Sequence, residues 1–364
     1  MPRRILLLIT DLEIGGTPTV VRELATRLHD PPDVEIEVAC LKGWGPNADR
    51  LRDAGIPVSA LGAKHAWQLP SVVRRFRELV RARQVDTVFS FLIHANTVAA
   101  LVSKGLPGVR FFQSVQTTQY KPRWHWWLQG RIERAAERIV VPSLNVDGAL
   151  RAWSGLAMGR AYIIHNAVDA NAFEPHPVFV GERLRVGFVG RMDPVKRLDV
   201  AIAAVAEITE FPVQLMIFGD GPKRRDWQKW QQNTFADPDA QRFIWRGEAP
   251  TPQDAMREID ILVLPSIGEG FGLVLIEAMA SGVPVIASAA GGIFDVVRHE
   301  CYGLMVPVFG SALGTEKRGF ADAIRRLHRD AALRERLIAN GLERVREKFT
   351  WEVVIPQYRG LLGI

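Results

Sequence analysis

The chain has 364 residues, 48% apolar and 24% charged, which allows two domains with full cores and excludes a low-complexity or disordered polypeptide. Its formal charge is +6, and 22 of the 46 Lys and Arg but only 15 of the 40 Asp and Glu lie in residues 1–172, so the whole basic excess belongs to the first half. No nucleic-acid-binding signature accompanies that charge, which ranks nucleic acid last among partners, and the lone Cys40 and Cys301 argue against a disulfide framework or zinc site and for a reducing, cytoplasmic compartment.

The N-terminal run in MPRRILLLITDL is too short for a signal segment and reads as a buried strand over 5–10, and no stretch approaches a membrane span. Further apolar runs predict strands over 36–41, 87–91, 109–112 and 139–142, separated by amphipathic segments. That rhythm belongs to a doubly wound parallel sheet. After the first strand, Thr17 is positioned to cap a helix whose first residue is Pro18. Gly15 and Gly16 precede that cap, where a tight turn and a ligand contact are both open readings.

LPSVVRRFRELVRAR is a helical segment with Val72, Val73, Phe76, Leu79 and Val80 on its apolar side and Arg74, Arg75, Arg77, Arg81 and Arg83 among them. A solvated face is the default reading; attachment to an anionic membrane is the alternative. His94 and Asn96 follow the strand over 87–91, and a polar residue at a strand's carboxyl end faces the ligand crevice of an open parallel sheet. QYKPRWHWWLQGRIERAAERI sets Trp124, Trp126 and Trp127 among Lys121, Arg123, Arg131, Arg134 and Arg138, a pattern suited to a lipid interface, a glycan surface or helix packing. Ser143 and Asn145 follow the next strand as candidate cleft residues.

DANAFEPHPVFVGERL reads as the linker, with two prolines and mixed polarity. A strand over 185–189 then opens the second domain, followed by Arg191 and Lys196. Two cations after a strand's carboxyl end suit a bound diphosphate, whose charge they can match. The adjacent Arg197 reads as solvated. Asp237 and Asp239 sit in the polar loop QQNTFADPDAQ and read as a surface turn rather than a metal site.

The chain is organised around ILVLPSIGEGFGLVLIEAMASGVPVIAS. An unalternating strand from Ile261 to Leu264 leads into a loop with Gly268, Gly270 and Gly272, and a helix follows near Leu273. Strand, glycine loop and helix start make an anion site, because the first-turn N–H groups and the helix dipole favour a phosphate. Glu269 and Glu277 flank it. Carboxylates are poor partners for phosphate and good ones for hydroxyls, so a diphosphate with a hydroxyl-bearing ring on either side fits.

This motif resembles the glutamate, seven residues, glutamate signature of glycosyltransferase family 4, and similarity extends along most of the chain. The resemblance implies the GT-B fold, two facing α/β Rossmann-like domains with a cleft, here an acceptor-binding domain over 1–170, a nucleotide-sugar domain over 171–345 and a last helix over 346–364 that crosses back. It implies retaining, metal-independent transfer from a nucleotide diphosphate sugar, with no cofactor beyond that co-substrate. Glu269 then serves the donor sugar and Glu277 the ribose, while Arg191, Lys196 and the stretch Gly270, Phe271, Gly272, Leu273 serve the diphosphate. Arg246 and Gly247 lie near the base, His94 lines the donor sugar, and Gly15 and Gly16 touch the donor phosphates or the acceptor. The chain departs from the family pattern in placing Thr17, Pro18 and Thr19 where an acid often follows the glycines, and Ala167 where a glycine is usual. The expected acceptor is a lipid-linked glycan or other cell-envelope glycoconjugate, with possible peripheral contact to an anionic membrane. A nucleotide-sugar epimerase and a non-catalytic sugar-nucleotide module are the alternatives; a dinucleotide oxidoreductase lacks its fingerprint.

Overall fold

The computed structural model describes residues 2–118, 122–157, 159–179, 181–235, 242–308 and 313–364. Two compact units divide the chain, Met1–Asn166 with Glu352–Ile364 as the first and Ala167–Trp351 as the second. Lys121 and the Asp237–Asp239 turn lie outside the described residues.

Unit 1 is built on seven parallel strands, β1 (Arg3–Ile9), β2 (Val34–Cys40), β3 (Val58–Ala60), β4 (Thr87–Phe91), β5 (Arg110–Ser114), β6 (Arg138–Val141) and β7 (Ala161–Ile163), ordered β3-β2-β1-β4-β5-β6-β7. β1 is central because all of Ile5 to Ile9 is buried, and Ile5 pairs with Ile36 on one side and Thr87 on the other. Burying each such side chain stabilises by roughly 1.5–3 kcal/mol before entropy is charged. The helix Leu69–Ala82 closes one face by setting Val72, Phe76 and Val80, four residues apart, against Leu6, Leu8 and Val88. The last helix, Trp351–Leu362, continues into unit 1: the Tyr358 ring lies 6.1 Å from that of Phe89, and Arg110 donates to the Leu362 carbonyl at 2.6 Å.

Unit 2 repeats the plan with six parallel strands, β8 (Leu184–Val189), β9 (Val213–Phe218), β10 (Phe243–Gly247), β11 (Ile261–Leu264), β12 (Val285–Ser288) and β13 (Leu304–Val306), ordered β10-β9-β8-β11-β12-β13. β11 is apolar without alternation because it feeds two cores. Ile261 and Val263 pack with the helices on one face, Leu262 and Leu264 with those on the other.

Three departures from the sequence reading concern the elements themselves. β3 and β7 were not anticipated, since each has three residues and no run of buried apolar side chains. Thr17 is not the helix cap: the helix Gly16–Leu28 begins before it, Gly15 holds the cap position without a side-chain bond, and Pro18 falls third, where no intrahelical donor is needed. The predicted linker is not a free tether either. Phe173 is buried in a unit 2 core, and the Phe179 N–H donates to the fully buried Asp260, which also pairs with Arg185 at 2.7 Å.

Candidate functional site

In an open parallel sheet, ligands bind outside the carboxyl ends of the strands where the strand order reverses. In unit 2 that point lies between β8 and β11, so the two relevant loops are those after Val189 and after Leu264. The first carries Arg191 and Lys196, the second Glu269. Their backbones join directly through the Ile267 N–H and the Val195 carbonyl at 2.9 Å. Lys196 Nζ meets Glu269 Oε1 at 2.5 Å, with Glu269 only 9% exposed. The Lys196 loop is also tied to the turn after β9, through Met192 N–H to the Asp220 carbonyl at 2.8 Å.

Arg191 is largely exposed and held by Asp193 at 2.7 Å. The helix Leu273–Ala280 starts from Gly272, whose φ of +91° and 3.0 Å approach of an added Cβ to Leu275 require glycine. Of the three glycines in the loop, Gly272 alone takes a left-handed φ. The loop rests on Gly292, which donates to the Glu269 carbonyl at 2.8 Å, and a Cβ at Gly292 would lie 2.2 Å from the Gly270 carbonyl oxygen.

Glu277 is the fifth residue of that helix and stays partly exposed. Its carboxylate bonds no side chain among the described residues, and burial alone pushes its pKa up to about 7. Phe271 turns its side chain into the core, edge-on to Phe349 at 5.4 Å, which leaves only its backbone for a ligand. Leu273 is the first helical residue, partly buried. Arg246 stands apart: β10 is two strands from β8, and its guanidinium pairs with Glu258 at 2.6 Å.

Arg197 is not a solvated cation. Its side chain is 14% exposed and spans Asp199 at 3.2 Å and the buried Glu316 at 3.1 Å, on a backbone with φ +50°. Ser266, missed in the sequence, is the second residue after β11; it is fully buried, and its hydroxyl has no partner among the described residues. A polar residue one step past the strand's Pro265 was the available signal.

The reversal in unit 1 falls between β1 and β4. Gly15 and Gly16 follow the first of these strands and His94 the second. Gly15 has φ 167°, and an added Cβ would come no closer than 3.6 Å to Pro18, so nothing within the unit requires glycine there. His94 is the second residue of the helix Ile93–Ser103, entered through Leu92 at φ +73°, a strained angle for leucine. Burial and then the Lys42 charge lower its pKa, and its ring meets that of His125 edge-on at 5.6 Å. His125 and Lys42 were not foreseen, because their loops follow other strands.

Two candidates from the sequence have structural duties instead. Asn96 is wholly buried, accepts from Ser90 at 2.8 Å and donates to the Ser114 carbonyl at 3.1 Å. Ser143 is buried and caps the helix Leu144–Ser154 by accepting from Val146 N–H at 3.1 Å, while Asn145 is exposed on that helix. On the basic helix Arg81 donates to the Gly105 carbonyl, and Arg83 just past its end pairs with Glu37, both from exposed positions, as on a solvated face. The tryptophans divide: Trp126 is buried against Trp153, whereas Trp124 and Trp127 are more than half exposed. No described helix is long and apolar enough to cross a membrane.

Comparison with known proteins matches residues 14–172 to the model described as Glycosyltransferase Family 4 and residues 183–330 to the one described as Glycosyl transferases group 1. The chain is 33% identical over 357 residues to the phosphatidyl-myo-inositol mannosyltransferase of Mycolicibacterium smegmatis, covering 94% of this chain and 88% of that protein. It is 35% identical over 237 residues to the protein of the same name from Mycobacterium leprae, covering 63% of this chain and 60% of that protein, which is less than two thirds of the relative's length. A D-inositol 3-phosphate glycosyltransferase of Stackebrandtia nassauensis is 29% identical over 54% of this chain and 47% of its own. Among solved structures, Anabaena HepE in complex with UDP-glucose superposes with a TM-score of 0.87 at 20% identity, covering 99% of both chains. Sucrose-phosphate synthase from Thermosynechococcus elongatus gives 0.82 at 23% identity, covering 99% of this chain and 100% of the other.

Proposed function

The chain belongs to glycosyltransferase family 4, and from that premise we propose that it moves a sugar, with retention at the anomeric carbon and without a metal, from a nucleoside diphosphate sugar to a hydroxyl of a phosphoinositol-type or other lipid-linked acceptor. One observation carries the donor half: the loops after β8 and β11 meet at the reversal of strand order, bringing Lys196 onto Glu269 beside the start of the helix Leu273–Ala280.

In this reading Lys196, Arg191 and the first-turn N–H groups take the charge that builds on the departing diphosphate. Glu277 accepts from ribose hydroxyls. Glu269 accepts from sugar hydroxyls once the Lys196 ammonium turns to the diphosphate, whose own oxygen receives the acceptor's proton. The buried Ser266 hydroxyl offers the donor a further bond. Unit 1 offers Gly15, Gly16 and His94 at its own reversal of strand order.

The acceptor class rests on the relatives, which are named for phosphatidyl-myo-inositol and for D-inositol 3-phosphate; both are inositol rings bearing phosphate. A lipid acceptor is supported by the exposed series Trp124, Trp127 and Arg131, spaced three and four residues apart and so on one stripe of the helix Arg123–Ile132. It would bring the protein to an anionic membrane surface as a peripheral partner.

The test is a panel of UDP- and GDP-sugars, read as released nucleoside diphosphate with and without phosphatidylinositol vesicles or inositol phosphate, in the presence of a chelator. Acceptor-dependent release giving a product of the donor's anomeric configuration is expected. Formation of an isomeric nucleotide sugar without acceptor would establish an epimerase instead.

A further inference from the structure

Unit 2 contains a cavity of about 450 Å3 that borders the Lys196 loop at Pro194 and Arg197 and is lined by none of Lys196, Glu269 or Glu277. Its floor is aromatic. Trp227 and Trp230 are three residues apart on the helix Arg224–Thr234, and both pack partly against the sheet core, which fixes their rings. The rim is charged but balanced. Lys223 pairs with Asp226 at 2.7 Å, and Arg197 pairs with Asp199 at 3.2 Å and with the buried Glu316 behind it at 3.1 Å, so every charge on the lining already has an opposite partner.

That combination selects a chemical class. Indole faces favour the apolar C–H face of a ring, and paired carboxylates keep lone pairs that accept O–H, while the ammonium and guanidinium still donate to ring and hydroxyl oxygens. The volume lies in the roughly 300–1,000 Å3 range of small-molecule sites. A neutral polyhydroxylated ring satisfies all of these features, whereas a phosphate or an ammonium ligand would meet a like charge as readily as an opposite one.

We propose that this cavity is a second carbohydrate site, in which a short neutral glycan stacks on Trp227 and Trp230 with its hydroxyls on Asp199, Asp226 and Lys223. Pro194 and Arg197, on its wall, flank Val195 and Lys196, so an occupant leans on the loop that serves the donor. The site lies outside the donor and acceptor assignments above and stands or falls separately from them.

The experiment uses the intact chain with methyl α-mannoside and a neutral mannobiose as probes, followed by saturation-transfer NMR and tryptophan fluorescence, in the presence of saturating UDP or GDP. Saturable binding that persists with the nucleotide is expected. Trp230→Ala should weaken it about tenfold or more. Because Trp230 also packs on the core, the exposed rim is probed separately: Asp226→Ala should weaken binding several-fold with an unchanged Tm. The proposal is overturned by loss of the signal when nucleotide fills the donor site, by indifference to both substitutions, by absence of binding, or by stronger binding of an indole-containing peptide than of the sugars. None of these readouts requires turnover, so they remain decisive whatever the transferase assay shows.

Discussion

Lys196 and Glu269 stand 73 positions apart in the chain, yet their charged groups touch at 2.5 Å. The contact joins the two loops that flank the strand-order reversal of unit 2, and it gives the nearly buried carboxylate a counter-ion. In the function proposed above, a diphosphate would compete for the same ammonium and so link donor docking to release of the carboxylate for sugar hydroxyls. Glu269→Ala should therefore cut kcat by about a hundredfold or more while leaving free nucleotide affinity nearly unchanged. Lys196→Met should weaken the nucleotide itself. Calorimetry with the nucleoside diphosphate and a double-mutant cycle on kcat/KM check both, with a coupling of about 0.5–3 kcal/mol expected; additive effects would show that the pair has no catalytic connection.

Glu277 should make both stability and binding depend on pH. Its folded pKa of about 7 lies above the ordinary 4.5, so the folded chain retains a proton that the unfolded chain has released. The contribution of Glu277 to stability is accordingly greatest below about 4.5, falls as pH rises to about 7, and levels beyond. Glu277→Gln should remove that slope and be the more stable protein at pH 8, by about 1–3 kcal/mol since solvent still reaches part of the side chain. Nucleotide affinity should move the opposite way, rising through pH 7 as the carboxylate becomes the better acceptor for ribose hydroxyls. The ratio of wild-type affinity to that of the Glu277→Gln variant, taken across a pH range that spans this titration, isolates the residue from ionisation of the diphosphate; a flat ratio would contradict the assignment.

Arg197 offers a separable test of strain and charge. Its left-handed backbone costs roughly 1–2 kcal/mol, which its ion pairs with Asp199 and Glu316 offset. Arg197→Ala removes the pairs, strands the buried Glu316 carboxylate and keeps the strain, so a loss of about 3 kcal/mol is expected in urea unfolding. Arg197→Gly removes the pairs but relieves the strain, and should lie about 1 kcal/mol above the alanine variant. Equal midpoints for the two would mean that the backbone angle carries no cost.

Periodicity made the two sheets legible, because central strands such as β1 and β11 are continuous apolar runs, and motif spacing located Glu269, Glu277, Arg191 and Lys196. What spacing cannot carry is partnership across long separations. The Lys196–Glu269 contact and the Arg197 clasp on Glu316 exist only once the loops are folded, and a free cation reads the same as a clasped one in sequence. Asn96 and Ser143 were misread for a related reason: a polar residue at a strand's carboxyl end can face a ligand or satisfy the backbone, and here it accepts from Ser90 in one case and caps a helix in the other. The short β3 and β7 lack the buried run by which a strand announces itself.

The exposed tryptophans should decide the question of membrane contact. Trp124 and Trp127 share a stripe with Arg131, whose guanidinium lies 4.1 Å from the Trp127 ring, so the indole and the cation present one surface. Such a surface gains from placing the ring at the headgroup boundary and from about 1 kcal/mol per cation near anionic lipid. The protein should pellet with phosphatidylinositol- or phosphatidylserine-containing vesicles more than with neutral ones, and raised salt should reduce the difference. Trp124→Ser with Trp127→Ser should reduce pelleting under both conditions without lowering Tm, since neither side chain is buried, and should leave turnover of a soluble acceptor intact. Equal recovery on neutral and anionic vesicles would remove membrane contact from the proposed function while leaving the chemistry of unit 2 untouched.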